Sequence, residues 1–171
     1  MDPIYNYSLC AALPLILFFG FYFLFARTPE KAIFDNFLRS RRIMGAAMLL
    51  LAANYSVHFF MKVRFNDADA AILINLSTYF LCYWLFSSAL TTLLDRNYIT
   101  RRRLLANMSL WVLYSASSCI VLKLLQEGTA QTVAILALAV WLVVYGLFLT
   151  WRLLRTYHRV IRIFNETHAD D

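Results

Sequence analysis

Few side chains in this sequence could do chemistry, and several of them recur at helical spacing. Asn54 and His58 stand four residues apart. Thr78, Tyr79 and Cys82 follow Asn75 at intervals of three, four and seven, and Ser115, Ser118 and Cys119 repeat the pattern. Residues three or four apart share a helix face, so each set draws one polar strip. Amides, an imidazole, a phenol and hydroxyls in such strips can exchange hydrogen bonds with a small ligand. Covalent or hydrolytic chemistry has no such support. HExxH, GxSxG and a glycine-rich phosphate loop are all absent, and there are only four glycines. Cys10, Cys82 and Cys119 lack CxxC spacing and read as small packing residues. The expectation is therefore no enzyme, no metal centre and no cofactor.

The elements that must carry these strips are long apolar runs. Of 171 residues, 61% are hydrophobic and 15% charged, against about 25% charged in an ordinary soluble domain. A small domain cannot bury that much apolar surface in water. Five runs approach or exceed the length of about 20 residues that crosses a hydrocarbon core of about 30 Å. They cover residues 8–26, 43–61, 70–94, 104–125 and 132–151. None alternates as a barrel strand would. The predicted fold is an all-α bundle of five transmembrane helices with short links. Residues 1–151 form the membrane domain and 152–171 a helical tail.

Charge gives the orientation. The stretch "LLDRNYITRRRLLANMS" holds Arg96, Arg101, Arg102 and Arg103 in a short link between two apolar runs. A nucleic-acid patch would be one use of such a cluster. Alternation along the chain favours another. Arg27, Lys31, Arg39, Arg41 and Arg42 occupy the first link, and Arg152, Arg155, Arg159 and Arg162 the tail. With the four arginines of the third link, these make thirteen of the sixteen basic residues, leaving Lys62, Arg64 and Lys123 on the other side. Lysine and arginine in short links stay cytoplasmic. The N-terminus is expected outside and the C-terminus inside a bacterial inner membrane. Arg39, Arg41, Arg42, Arg101, Arg102 and Arg103 are topology anchors facing anionic headgroups, with no direct contact to nucleic acid. Asp2 before the first run and Arg27 after it are the reverse of a signal peptide.

In that frame Asn54, His58, Asn75, Tyr79, Ser115 and Ser118 all lie between the bilayer centre and its outer edge. Two uses compete. Small and hydroxylated residues help membrane helices pack and bond to each other, and "SASSC" on the fourth span fits that. Alternatively, the six line a ligand cavity opening outward, centred on Asn54, His58 and Asn75. The second and third spans share a short outer link, which makes them antiparallel neighbours, and a hydrogen bond to His58 from Asn75 or a neighbouring hydroxyl is expected. The spans carry no Asp or Glu of the kind that couples ions in transporters. One histidine within a span cannot ligate a bis-histidine haem.

Three local features complete the expectation. In "RTPEKAIFDNFLRSRR", Thr28 can cap a helix with Pro29 at its first position. Ile33, Phe34, Phe37 and Leu38 share a face, predicting a short interfacial helix. Pro14 predicts a kink in the first span. "WRLLRTYHRVIRIFNETHADD" has no glycine or proline, so the fifth helix can run on beyond the membrane. Its arginines share one face, and Leu153, Tyr157, Val160, Ile161 and Phe164 another. Arg152, Arg155, Tyr157, Arg159 and Ile161 are the candidate relay, and the tail helix is where a homodimer would form.

Two stretches carry a resemblance. "RTPEKAIFDNFLRSRRIMGAAMLLLAAN" resembles the first inner link and second helix of bacterial membrane-embedded regulators that end in an AraC-type helix-turn-helix domain. Related membrane regions also precede histidine kinases. "LLDRNYITRRRLL" is similar to their third-helix exit, and "IRIFNETHADD" to the stretch after their fifth helix. The resemblance implies a sensory membrane region that controls a DNA-binding or kinase output, with that output domain outside these 171 residues. The other expectation is a self-contained membrane scaffold or accessory subunit, with a small carrier or pore behind it.

Overall fold

The computed structural model describes residues 3–27, 34–125 and 128–168. They form α1 (Pro3–Phe25), α2 (Asp35–Met61), α3 (Val63–Asn66), α4 (Ala68–Leu94), α5 (Arg101–Leu124) and α6 (Thr129–His168). All but α3 are long and apolar enough to cross a membrane. The four C-terminal ends that border links fall within one residue of the expected spans. The N-terminal ends start earlier, because the polar first turns are helical although they lack apolar character.

Two expectations change. The described part of the first link is no separate interfacial helix: Phe37 and Leu38 lie in the first turns of α2, which continues unbroken to Met61. Between Phe34 and Ile43 there is no glycine or proline to interrupt it. Thr28, Pro29 and Ile33 lie outside the described residues. In the second link, four residues form the unexpected α3. Lys62 separates it from α2 by taking a left-handed conformation, φ 50°, which costs a side-chain-bearing residue about 1 kcal/mol. Pro14 sits inside α1, which is helical on both sides of it.

The packing is a chain of neighbours. α1 packs on α2, α2 on α4, and α4 on both α5 and α6. Among the described residues, the backbone of α1 closely approaches no helix but α2. That approach depends on two glycines: a Cβ on Gly45 would lie 2.7 Å from Leu24 Cγ and 3.1 Å from the Gly20 carbonyl oxygen. α2 and α4 meet through small buried residues, among them Ala47 and Ala89, and the Ser40 hydroxyl donates to the Ala89 carbonyl.

The other half of the bundle is aromatic. Phe80 of α4 stacks between Tyr114 of α5 and Tyr145 of α6, with ring centroids 4.7 and 4.2 Å away. Both phenols are held, Tyr114 donating to the Leu138 carbonyl and Tyr145 to the Asn107 side chain. α4 is thus the centre of the molecule. α6 runs 40 residues without a break, about 60 Å at 1.5 Å per residue. That is roughly twice a hydrocarbon core, and beyond Trp151 it is largely exposed.

Candidate functional site

One end of the bundle gathers the start of α1, the end of α2, α3 and the start of α4. Between them lies a cavity of about 580 Å³, within the range of small-molecule sites. Its polar wall comes from α2 and α4. The Asn75 side-chain oxygen accepts two hydrogen bonds, from His58 Nε2 at 2.9 Å and from Asn54 Nδ2 at 3.0 Å. Of the partners expected for His58, Asn75 or a neighbouring hydroxyl, the structure has Asn75, and its oxygen accepts rather than its amide donating. Because that oxygen can only accept, Nε2 is the donor in this bond, and Nδ1 is the ring nitrogen left over.

Here the network is incomplete. His58 and Asn54 are 4% and 3% exposed. His58 Nδ1 and Asn54 Oδ1 are buried with no hydrogen-bond partner. Buried polar atoms of native proteins are nearly all paired, and exceptions point to strain, function or a bound species. Tyr79 lies beside Tyr55, and both line the cavity.

The remaining walls come from residues that the sequence does not mark as a site. Arg64 of α3 lines the cavity with its guanidinium carbon 4.6 Å from the Tyr5 ring centre, and Tyr5 also packs edge-on against Phe65. Ser8 and Tyr5 come from α1. In sequence Arg64 is a stray charge in a link and Tyr5 one of several tyrosines. Only the fold joins them.

Ser115 and Ser118 are not part of this cavity. Ser115 exchanges a 2.6 Å hydrogen bond with Ser77, and Ser118 donates back to the Tyr114 carbonyl. Ser77 is two residues from Asn75, about 200° around the helix, so α5 meets the side of α4 turned away from His58. Equal depth groups them in sequence, but depth does not fix azimuth. A further groove of about 410 Å³ between α4 and α6 is apolar, and its Ser87 hydroxyl already donates to the Leu149 carbonyl.

At the opposite end the arginines are more than surface charge. Arg39 donates to the carbonyls of Arg96 and Ile99, and Arg96 pairs with Asp35 at 2.9 Å. Tyr98 is 5% exposed. Its carbonyl accepts from Arg103, and its ring lies under the guanidinium groups of Arg103 and Arg152 at 5.1 and 4.8 Å. The link between α4 and α5 is thereby fastened to α2, α5 and α6 together. Arg41 sits 6.0 Å from the Phe37 ring, while Arg42, Arg101 and Arg102 are exposed. In the tail Arg155 lies over Trp151, and Tyr157, Arg159 and Ile161 are exposed.

The described residues contain no cluster of three or more metal-ligating side chains. No family model, curated protein or solved structure matches the chain.

Proposed function

We propose that this chain is the membrane sensory or anchoring region of a bacterial signalling protein. In this proposal five spans cross the inner membrane, with the cavity end outside and the arginine end cytoplasmic. A ligand in the cavity changes the packing of α2 against α4, and the shift reaches α6 through the Tyr98 link. An output domain, of the AraC-type or kinase class that the sequence resembles, would follow the tail.

The observation that carries the reading is the half-satisfied network of His58 and Asn75 in the cavity wall, with Asn54 bonded behind them outside the lining. Packing alone gains little from such a group, since interhelical hydrogen bonds in membranes average about 0.6 kcal/mol. A buried imidazole with an unpartnered ring nitrogen is costly. Its placement suits a site completed by a ligand. The tail supports the second half of the proposal. Leu154, Tyr157, Ile161 and Phe164 are all exposed, and their spacing of three, four and three is a coiled-coil seam. Arg155, Arg159 and Arg162 fall off it, so two tails can pair without bringing their charges together.

The test joins a dimerisation-dependent DNA-binding reporter after Asp171 in bacterial cells. His58→Leu and Asn75→Leu should shift reporter output at unchanged membrane abundance, whereas Ser115→Ala should not. Equal output from all three and the parent would remove the sensory role. It would leave the scaffold alternative, which the direct Ser77–Ser115 and Tyr145–Asn107 helix ties favour.

A further inference from the structure

The cavity has a shape and a charge that narrow its ligand, provided the sensory reading of that site holds. Its walls come from α1, α2, α3 and α4, yet the backbones of α1 and α4 do not closely approach each other among the described residues. α2 lies between them as a floor. The cavity thus occupies a gap between α1 and α4 that is backed by α2. From Ala68 to Tyr79, its limits on α4, it runs about 16 Å along that helix, close to one leaflet's depth of hydrocarbon.

Polarity divides the cleft. The α1 side beyond Ser8 is apolar, lined by Leu9 and Ala12, and α4 adds the apolar Ala71 and Ile72. The mouth holds Arg64, the one charged side chain among the described lining residues, none of which is acidic. The nearby Asp67 carboxylate is engaged as the cap of α4, accepting from the Ala70 N–H. Arg64 stands with its guanidinium carbon over the Tyr5 ring, and its N–H groups suit a planar fork onto an acid group. The polar wall of Tyr55, His58 and Asn75 begins just below.

We infer that the cavity takes an anionic amphiphile, a carboxylate or phosphate on a hydrocarbon chain. The acid group sits at Arg64 and the chain lies between α1 and α4. Neither half suffices alone. A small hydrophilic anion would leave the apolar cleft unfilled, and a neutral chain would leave the guanidinium edges without an acid. The same chemistry reaches the site as a lipid sliding in from the outer leaflet or as a soluble amphiphile from the aqueous side.

Native mass spectrometry of the full chain, released from neutral detergent micelles, separates the contributions with three probes: dodecyl phosphate, dodecanol and inorganic phosphate. One saturable adduct per chain is expected with dodecyl phosphate alone. Arg64→Gln should weaken it about tenfold, the loss of one charge-assisted contact, and Arg64→Lys should weaken it less. Ala12→Phe, which plugs the cleft without touching the charge, should abolish it. Arg64 is exposed, so its variants keep the fold, and unchanged unfolding of the solubilised protein verifies this. Dodecanol binding as well as dodecyl phosphate, with no effect of Arg64→Gln, would overturn the anionic part. Inorganic phosphate binding equally well would overturn the amphiphile while leaving a ligand site intact. If no probe binds in a way that His58→Leu alters, the site reading itself fails with it. Dodecyl phosphate presented in a neutral bilayer nanodisc against the same concentration in water then tells the two entry routes apart: faster loading from the bilayer identifies the lipid route.

Discussion

Replacing Asn75 with alanine removes one oxygen and strands two donors. His58 Nε2 and Asn54 Nδ2 both bond to that oxygen, at 2.9 and 3.0 Å, from residues 4% and 3% exposed. If both donors found other partners, the loss would be two interhelical bonds at about 0.6 kcal/mol each, or about 1.2 kcal/mol. If both stayed unsatisfied, each would cost about 1–3 kcal/mol. His58 lines the cavity, where water can reach its surroundings, whereas Asn54 lies behind it. One rescued and one stranded donor gives about 2 kcal/mol. Ser115→Ala provides the contrast. It deletes a single hydroxyl pair, and Ser77 can turn back to its own helix as Ser118 does, so the cost stays below about 1 kcal/mol. Unfolding of the purified protein in mixed micelles, titrated with a denaturing detergent and followed by tryptophan fluorescence, reads both. Equal stability for Asn75→Ala and Ser115→Ala would refute the energetic account of the network. A triple Asn54→Leu, His58→Leu, Asn75→Leu variant should recover stability, because removing all partners together leaves no orphan.

Gly45→Val should loosen α1 from α2 and cost about 1–3 kcal/mol, since even a Cβ there meets Leu24 at 2.7 Å; the same unfolding assay checks it, and parental stability would show that α1 is free to move away. Replacing the exposed Arg101 and Arg102 with glutamine should produce some inverted molecules, detected by impermeant maleimide labelling of a cysteine at Glu166 in intact cells. Arg103 is left in place because it also holds Tyr98. Ile161→Asp should convert a paired tail to single chains, measured by crosslinking in membranes; unchanged crosslinking would place the contact elsewhere.

Periodicity and composition are what the sequence makes legible. Residue 61 and residue 94 end apolar runs and end helices. Asn54, His58 and Asn75 can be joined because four-residue spacing and a short link fix both face and neighbour. Arg64 and Tyr5 cannot, because they are 59 positions apart in sequence and are brought together by α1 folding back along α2. α3 escapes a sequence reading because four residues carry no period. Depth alone groups Ser115 and Ser118 with His58, and only the rotation of α4 shows that they face another way. The arginines read as topology anchors by count. That Arg39, Arg103 and Arg152 also grip the Tyr98 link needs the three-dimensional arrangement.

The central proposal is that an event at the cavity moves α6. Spin labels on cysteines at Asn97 and Glu166, both exposed, span the link and the tail. Glu166 is fourteen residues beyond Arg152, so the labels lie about 20 Å apart or more, within range of pulsed dipolar spectroscopy. In nanodiscs, adding dodecyl phosphate should shift the mean distance by about 1–2 Å or more, and Asn75→Leu should abolish the response. A distance distribution that is the same with and without the amphiphile, in a sample where its binding is confirmed, would contradict the coupling.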